Sequence, residues 1–466
     1  MILLAGAKLC FSQAPNQQLL ILSDVHFNPF ADQGLVTELA AAPPERWEQI
    51  LDRSKPENFS GYHHDTNWWL LQSALDATRA TEPHPALVIV AGDLLAHQFP
   101  QTYQTTTHDV DRAHYRAFVR KTVVFLAAEL HKRFKETRIL ITPGNNDDEC
   151  GDYDIKADGP FLSDTAHLVS KLAGAGGPLK ADWRALGSYS FQPPSIPGLR
   201  ILSVNTVFFS NKYQAASFAH ACAPVTSDAG ERTFSWLEKK LAEAKQAKQK
   251  VWLMFHIPPG IDGYASMTQM EHVPAAQCGK AIVPMWKPMW TERFSGVVQQ
   301  YQSTISAIFA GHTHTDDFRL IGTAAFVLID PPISPIYGQN PAFRVVSFDS
   351  SSGVTGHSVY YLTNLEAARG DVPGKWEREY SFAEEWQTPS WRSLGSQGQA
   401  PDVKTMQSIY DRIRDDPQAR AQWLTLLNTS STHDPTPASG VRRLFCAIAN
   451  LDPTAYEACA CSTPAP

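Results

Sequence analysis

The chain has 466 residues, of which 43% are hydrophobic, 11% aromatic and 19% charged, so it can bury a sizeable core. This composition excludes an intrinsically disordered, collagen-like or coiled-coil protein. With 40 Lys and Arg against 47 Asp and Glu the net charge is −7, which gives no overall electrostatic attraction to nucleic acid or to an anionic membrane.

Residues 1–17 are predicted to be an N-terminal tail or the remnant of a signal segment. Residues 1–7 form a short apolar run and residues 11–14 resemble a cleavage site, but Lys8 follows the apolar run instead of preceding it, so the signal is incomplete. No window approaches about 20 continuous apolar residues, so we predict no transmembrane helix.

Apolar runs of strand length alternate with helix-like stretches from residue 18 onward. The strand-like runs are 19–22, 86–90, 138–141, 200–204, 251–255 and 305–309, and the helix-like stretches are 66–80, 112–134, 163–172 and 233–248. Continuous apolar runs that end in polar residues are typical of buried strands in α/β sheets. We therefore predict an α/β domain over residues 18–380.

The pattern changes toward the C-terminus. Shorter strand candidates at 324–329, 343–348 and 354–362 are expected to extend the sheet. From residue 381 the chain is predicted to be loop and then helix, at 403–414, 416–427 and 440–451. The simplest interpretation is a small helical C-terminal region over residues 381–466.

The seven cysteines are too few for a disulfide scaffold and too scattered for a zinc ribbon. Disulfides are expected among cysteines placed where pairing is feasible: Cys150 and Cys222 in predicted loops, and Cys446 near the C-terminus with either Cys459 or Cys461. The alternative is a set of free thiols.

Potential metal ligands follow five of the strand-like runs. In chain order the motifs are Asp24-Val25-His26, Gly92-Asp93 with His97 four residues on, Gly144-Asn145-Asn146-Asp147, His256, and Gly311-His312-Thr313-His314. Loops at the carboxyl ends of strands in an open α/β sheet share one edge, so these distant residues are expected to converge.

The converging set comprises two carboxylates, four imidazoles and one amide oxygen: Asp24, His26, Asp93, Asn145, His256, His312 and His314. Such ligands suit Zn, Mn or Fe, and the lack of thiolate argues against a closed structural zinc site. Seven ligands are too many for one ion and fit two, which Asp93 would bridge. Two ions polarise a phosphoryl group and lower the pKa of a shared water, so a metal-bridging hydroxide is the expected nucleophile.

These motifs, in this order, resemble the calcineurin-like metallophosphoesterases. Finer features are similar to the acid sphingomyelinase-like phosphodiesterase branch: residues 92–97, 204–206, 256–260 and 301–305, and the C-terminal segments 443–446 and 456–459. The resemblance implies a two-sheet α/β sandwich flanked by helices. It also implies one ion held by Asp24, His26, Asp93 and His314, and another held by Asp93, Asn145, His256 and His312.

The sequence departs from the family pattern at Asn146. The usual motif has a histidine there, which helps to stabilise the transition state or to protonate the leaving group. An amide can hydrogen-bond a phosphoryl oxygen but cannot donate a proton at pH 7 in the way an acid does. Three interpretations stay open: His97 is the acid, the leaving group needs little protonation, or the enzyme is slow with poor leaving groups.

Several other polar or aromatic segments are predicted to have a structural role and no part in the reaction. His63-His64-Asp65 either extends the site or, as we expect, forms a polar loop and helix cap. The acidic residues 147–149, Asp152 and 316–317 either hold a cation or repel anionic substrates or, as we expect, lie in solvated loops. The segment 283–290 is expected to be a packed Pro-rich loop, although its Trp and Met side chains also suit a lipid interface.

We therefore predict a binuclear phosphoester hydrolase, a phosphodiesterase acting on nucleotides or phospholipid headgroups. A phosphomonoesterase or polyphosphatase on the same site is the alternative within enzymes, and a non-catalytic metal-binding protein is the alternative from another class. The expected partner is a small phosphoester substrate, with at most transient membrane contact, no binding of duplex nucleic acid and no obligate protein partner. An extracytoplasmic location, periplasmic or secreted, is implied by the resemblance.

Overall fold

A computed structural model describes residues 17–55, 57–213, 228–386 and 400–462. Within these ranges the strands are β1 Gln17–Leu22, β2 Leu87–Val90, β3 Arg138–Ile141, β4 Tyr189–Phe191, β5 Leu199–Val204, β6 Lys250–Phe255, β7 Ile305–Ala310, β8 Asp317–Ile321, β9 Ala325–Ile329, β10 Ala342–Phe348, β11 Val354–Leu362 and β12 Trp376–Ser381.

The α-helices in the described part of the chain are α1 Val36–Ala41, α2 Trp47–Leu51, α3 Trp68–Thr81, α4 Phe99–Thr107, α5 Arg112–Arg133, α6 Pro160–Ala173, α7 Gly177–Leu186, α8 Ala229–Gln246, α9 Gly263–Met270, α10 Pro288–Gln300, α11 Phe382–Glu385, α12 Val403–Asp415, α13 Pro417–Leu427, α14 Ala438–Ala449 and α15 Pro453–Ala460. Short 3-10 turns lie at Gln33–Leu35, Pro44–Arg46, Thr206–Phe209 and Ala275–Ala281.

The strands form two six-stranded sheets, in the orders β12-β11-β10-β1-β2-β3 and β4-β5-β6-β7-β9-β8. In the first sheet β1, β2 and β3 are parallel to one another, and in the second β5, β6, β7 and β9 are parallel. These central strands are apolar and buried because helices or the other sheet cover both of their faces. The predicted two-sheet α/β sandwich with C-terminal helices is confirmed.

The predicted strands and long helices match observed elements within a few residues, but three strands were missed. β4 has only three residues, β8 begins with the Asp317 that was expected in a solvated loop, and β12 is rich in charged residues. The expected cap at Asp65 is also wrong, because the side chain that caps α3 is Asn67, which accepts from the Leu70 backbone N–H.

The parallel register aligns the carboxyl ends of the strands. Leu22 of β1 pairs with Val90 of β2, which pairs with Ile141 of β3, and Val204 of β5 pairs with Phe255 of β6. The polar residues that follow these strands therefore emerge at neighbouring positions along one edge of the sandwich.

The four C-terminal helices α12 to α15 pack on the second sheet. Met406, Trp423, Leu427 and Phe445 share a buried apolar cluster with Phe318 of β8 and with other residues of this region. Cys446 is disulfide-bonded to Cys459, which resolves the two predicted alternatives, and Cys461 is bonded to Cys278, which was not predicted. Cys222 and residues 1–16 of the predicted N-terminal segment lie outside the described residues.

Candidate metal centre

The seven predicted ligands meet at the shared strand edge. Asp24 and His26 follow β1, Asp93 follows β2, Asn145 follows β3, His256 follows β6, and His312 and His314 follow β7. All except His312 are nearly inaccessible to solvent. The shared strand register thus brings together residues that are up to 290 positions apart in the chain.

Five of these residues have left-handed backbone conformations, with φ between 42° and 75°: Asp24, His26, Asp93, His312 and His314. Non-glycine residues rarely adopt this region, and each instance costs about 1–3 kcal/mol. Strain concentrated in this way is typical of a functional site, where the surrounding fold holds side chains in directions that an ordinary turn would not give.

One group of ligand atoms lies around His26. Its Nε2 is 3.1 Å from His314 Nε2 and 3.4 Å from Asp93 Oδ2, and His314 Nε2 is 3.3 Å from Asp24 Oδ1. His26 Nδ1 donates to the Leu95 carbonyl at 2.9 Å, so Nε2 is the nitrogen left to act as a ligand.

A second group lies around His256. Its Nε2 is 3.1 Å from Asn145 Oδ1, 3.2 Å from His312 Nδ1 and 3.2 Å from Asp93 Oδ2. His256 Nδ1 is turned to the Ala91 carbonyl at 2.7 Å, which again leaves Nε2 free. Asp93 Oδ2 is therefore shared between the two groups.

Two glycines allow this close packing. A Cβ at Gly144 would overlap the Asp93 carboxylate, and a Cβ at Gly311 would overlap the Ser23 hydroxyl and approach Asp24. The glycines of the Gly-Asn and Gly-His motifs are required because neighbouring side chains occupy the space that a Cβ would fill.

The two buried carboxylates of the site, Asp24 and Asp93, favour positive charge close to them. Burial opposes ionisation, yet the neighbouring imidazoles hold the pKa of Asp24 and of Asp93 well below the ordinary value. The same carboxylates overcome burial and raise the pKa of His26 to about 10 and of His256 to about 9. Burial lowers the pKa of His312 and, to about 3, that of His314.

These residues fit divalent cations. In the first group His26, whose pKa is raised, lies 3.1 Å from a nitrogen of His314, whose pKa is lowered. In the second group His256, whose pKa is raised, lies 3.2 Å from a nitrogen of His312, whose pKa is lowered. Two metal ions would replace the protons on His26 and His256, leave every imidazole neutral and be ligated by nitrogen and oxygen. The donor set therefore fits divalent cations.

His97 lies beside the first group and lines the open space above it. Its ring stacks on His26 with 4.0 Å between centroids, its Nδ1 is 2.9 Å from Asp65 Oδ1, and its Nε2 is 3.3 Å from Tyr337 Oη. Because Nδ1 faces a carboxylate, the His97 ring is oriented with Nε2 toward the cavity. Asp65, for which a polar loop and helix cap was the preferred interpretation, instead extends the site through this contact.

Asn146 is placed differently from what the motif suggested. Its Nδ2 donates to Asp93 Oδ2 and its backbone N–H donates to Asp93 Oδ1, both at 2.9 Å. Asn146 is buried, and it is not one of the residues that line the cavity. Its amide is thus committed to the shared carboxylate.

A cavity of about 690 Å³ opens above the ligands. At its inner end it is lined by Asp93, His97, Asn145, His312 and His314, and further out by residues of loops and of the C-terminal helices. Sequence reasoning missed Tyr153, Lys212, Tyr264 and Tyr337 in this lining, because no motif or spacing distinguishes them from ordinary loop residues.

The acidic residues expected in solvated loops are mostly buried, which corrects that expectation. Asp147 accepts hydrogen bonds from the backbone N–H groups of Leu94, Leu95 and Gly144 and so braces the loops that carry Asp93 and Asn145. Asp316 is ion-paired with the buried Arg344 at 2.6 Å. Asp152 alone of the set is exposed.

The Pro-rich loop at 283–290 is packed as expected. Trp286 is fully buried and donates through Nε1 to the Ile257 carbonyl, whereas Met289 is 60% exposed. None of the helices in the described ranges combines the length and the apolar character needed to cross a bilayer.

Comparison with known proteins adds a family match. A family model described as calcineurin-like phosphoesterase matches residues 18–316. The chain is 26% identical over 412 residues to sphingomyelinase phosphodiesterase D of Dictyostelium discoideum, a match that covers 79% of this chain and 80% of that protein. It is 24% identical over 463 residues to human acid sphingomyelinase-like phosphodiesterase 3b (94% and 89%) and 24% identical over 428 residues to mouse cyclic GMP-AMP phosphodiesterase SMPDL3A (87% and 84%).

Proposed function

Since this chain belongs to the calcineurin-like phosphoesterase family and is therefore a hydrolase of phosphoric esters, we propose that it is a binuclear metal-dependent phosphodiesterase. The family predicted from the motifs is confirmed, and the similar curated proteins carry the names of the predicted branch. The observation that carries the proposal is the single carboxylate oxygen, Asp93 Oδ2, which lies 3.4 Å from His26 and 3.2 Å from His256.

In this proposal Asp24, His26, Asp93 and His314 would hold one ion, and Asp93, Asn145, His256 and His312 would hold the other. The ligands favour Zn, Mn or Fe. When bound, such a pair of ions polarises the phosphoryl group and makes a water molecule nucleophilic near pH 7.

The remaining steps belong to the chain itself. His97 is proposed to protonate the leaving oxygen through Nε2, while Asp65 holds its Nδ1 and fixes the ring. Asn146 is proposed to position Asp93, since its Nδ2 is engaged there. This replaces the expected contact between Asn146 and a phosphoryl oxygen, so the chain depends on His97 for the acid that the usual motif histidine would provide.

The substrate is proposed to be a small phosphodiester such as a nucleotide or a phospholipid headgroup. The support is the size of the cavity, about 690 Å³, and the printed names of the relatives, which act on phosphodiesters. An extracytoplasmic location is proposed on the strength of the two disulfides in the described residues, since such bonds persist in oxidising compartments.

The test is hydrolysis of bis-p-nitrophenyl phosphate against p-nitrophenyl phosphate by the metal-free protein reloaded with Zn or Mn. A phosphodiesterase is expected to prefer the diester. A preference for the monoester would favour the phosphomonoesterase alternative, and two bound ions with no hydrolysis of any ester would favour the non-catalytic one. The metal content is measured in the same samples by mass spectrometry.

A further inference from the structure

Two neighbouring carboxylates, Asp148 and Glu149, are buried outside the cavity. Only 2% of Asp148 and 7% of Glu149 is exposed, and neither residue lines the cavity above the proposed ligands. Asp148 Oδ2 and Glu149 Oε2 are closed off from solvent and accept no hydrogen bond from the part of the chain that the structure describes. Because a buried carboxylate oxygen without a partner is strongly unfavourable, the pair requires a positive charge from another source.

The hydroxyl of Tyr115 is a third polar atom of this cluster without a partner. Tyr115 lies on α5, is 9% exposed, and its Oη makes no hydrogen bond within the described ranges. Burial and then the charges of Asp148 and Glu149 raise the pKa of Tyr115, so the phenol faces the two carboxylates. A hydroxyl in contact with a carboxylate would donate to it, and the missing hydrogen bond therefore indicates a gap between the three oxygens.

The basic side chains that act on this cluster do not satisfy it. Arg116 and Lys156 act on Glu149 through their charges, but Arg116 is ion-paired with Asp164 at 2.8 Å, and neither donates to Glu149 Oε2. Burial and then the charge of Glu149 raise the pKa of Asp148 well above its ordinary value. The fold therefore holds two carboxylates together at a cost that a bound cation would remove.

We propose that Asp148 and Glu149, together with the hydroxyl oxygen of Tyr115, form a separate site for a hard divalent cation, Ca²⁺. The ligand atoms of Asp148 and Glu149 lie within 4.8 Å of each other, which one ion can bridge because Ca–O distances are about 2.3–2.6 Å. Oxygen ligands without imidazole favour Ca²⁺ over Zn. The nearby sulfur of Cys150 is disulfide-bonded and so is not a thiolate ligand.

The ion would fasten the loop that follows Asn145 to helix α5. This loop carries Asp152, which accepts from Asn145 Nδ2 at 2.7 Å, and Tyr153, whose Oη is 3.3 Å from His312 Nε2. Ca²⁺ is therefore expected to keep two contacts of the metal centre in place without touching the substrate. The calcium site does not depend on the proposed function, because none of its three oxygens lies in the cavity.

The test is Ca²⁺ binding to metal-free protein that has been reloaded with zinc, so that the strand-end ligands are already occupied. Equilibrium dialysis is expected to give one Ca²⁺ per chain, and a hundredfold excess over Kd should raise Tm by about 3 °C. In the double variant Asp148→Asn with Glu149→Gln the affinity should fall at least about a hundredfold, since the charge of the ligands sets Ca²⁺ affinity. Tyr115→Phe removes only the hydroxyl and should weaken binding about tenfold, a result that stays informative if the double variant does not fold.

Glu384→Gln with Glu385→Gln is the matched control, because it removes two neighbouring carboxylates of α11 that do not line the cavity, and it should bind Ca²⁺ as the wild type does. A wild type that binds no Ca²⁺ would overturn the site and leave the two carboxylates sharing protons. Ca²⁺ bound as tightly by the double variant and by Tyr115→Phe as by the wild type would place the ion elsewhere and overturn it equally. Hydrolysis of bis-p-nitrophenyl phosphate by the same samples tests the proposed function separately.

Discussion

The inner and outer ends of the cavity are built by different means. The inner end consists of strand-end residues in strained left-handed conformations, held by charge and by hydrogen bonds to buried backbone. The outer end is lined by the loop residue Lys212, by Tyr264 of α9, and by residues of the C-terminal region: Leu427, Asn428, 434–437 and Leu444. The Cys278–Cys461 disulfide ties this region to the rest of the chain.

This difference between the two ends suggests a division of roles, with the reaction at the inner end and selection of the substrate at the outer end. Ligands that must converge to within a few tenths of an ångström come from the rigid edge of a sheet, where register fixes their positions. The outer wall, which only has to fit a particular substituent, is free to vary in loops and appended helices. Changes at the inner end should therefore alter turnover, and changes at the outer end should alter KM.

The largest effect is expected from Asp93→Asn. Removing the shared charge should lower kcat/KM for bis-p-nitrophenyl phosphate by at least about a thousandfold, because ionic polarisation of the phosphoryl group contributes several kcal/mol. The bound metal should fall below two equivalents. Asp371→Asn, at an exposed position outside the cavity lining, is the control, and a variant that binds two ions and retains a tenth of the activity would contradict the shared-ligand role.

The same division explains what could be predicted from the sequence. The inner end was predictable because short motifs such as Asp24-Val25-His26 follow apolar strands, and parallel register then brings them together. The outer end was not, because Lys212 and Leu444 acquire their roles only from the folding of loops and helices. The role of Asp65 could not be decided for the same reason, since its contact with His97 joins segments 32 residues apart that share no pattern.

The next effect concerns His97, at the boundary of the two ends. His97→Ala should lower kcat by about a hundredfold for an alkyl leaving group, within the usual range for a general acid, and much less for p-nitrophenolate, which needs little protonation. Turnover is measured over a series of leaving groups of increasing pKa. His64→Ala, at an exposed neighbouring position, is the control.

An equal loss across that series would mean that His97 acts by packing on His26 instead of donating a proton. Asp65→Asn should give the same dependence on leaving group with a smaller amplitude, because the ring is still present but less well oriented.

At the outer end, Cys446→Ser with Cys459→Ser tests the role of the disulfide. The bond joins residues 13 apart, and its loss should lower the free energy of unfolding of the C-terminal helices by about 2–3 kcal/mol. Leu444 of α14 lines the cavity, so KM should rise while kcat changes less. Urea unfolding and steady-state kinetics measure the two effects. Loss of kcat with KM unchanged would show that the two ends are not separable.

The last effect concerns stability rather than turnover and involves Asp330, which helps to join the two sheets through Arg344. Arg344 of β10 donates to Asp330 at 2.6 Å and to Asp316 at 2.6 Å, so two buried carboxylates share one cation. Burial raises the pKa of Asp330 to about 7 although Arg344 opposes the shift. Between the unfolded value near 4 and pH 7 the folded state then binds the extra proton, and stability should fall as the pH rises through that window.

Asp330→Asn should therefore flatten the pH dependence by up to about 1.4 kcal/mol per pH unit in urea titrations of the metal-free protein. The variant with Cys446→Ser and Cys459→Ser loses a bond that does not titrate. Its free energy of unfolding should therefore be lower at every pH, while the dependence of that free energy on pH stays as in the wild type. An unchanged slope in Asp330→Asn would assign the proton to another group. A flattened slope would show that ionisation of Asp330 weakens the junction of the two sheets, whereas the Cys446–Cys459 disulfide contributes equally at all of these pH values.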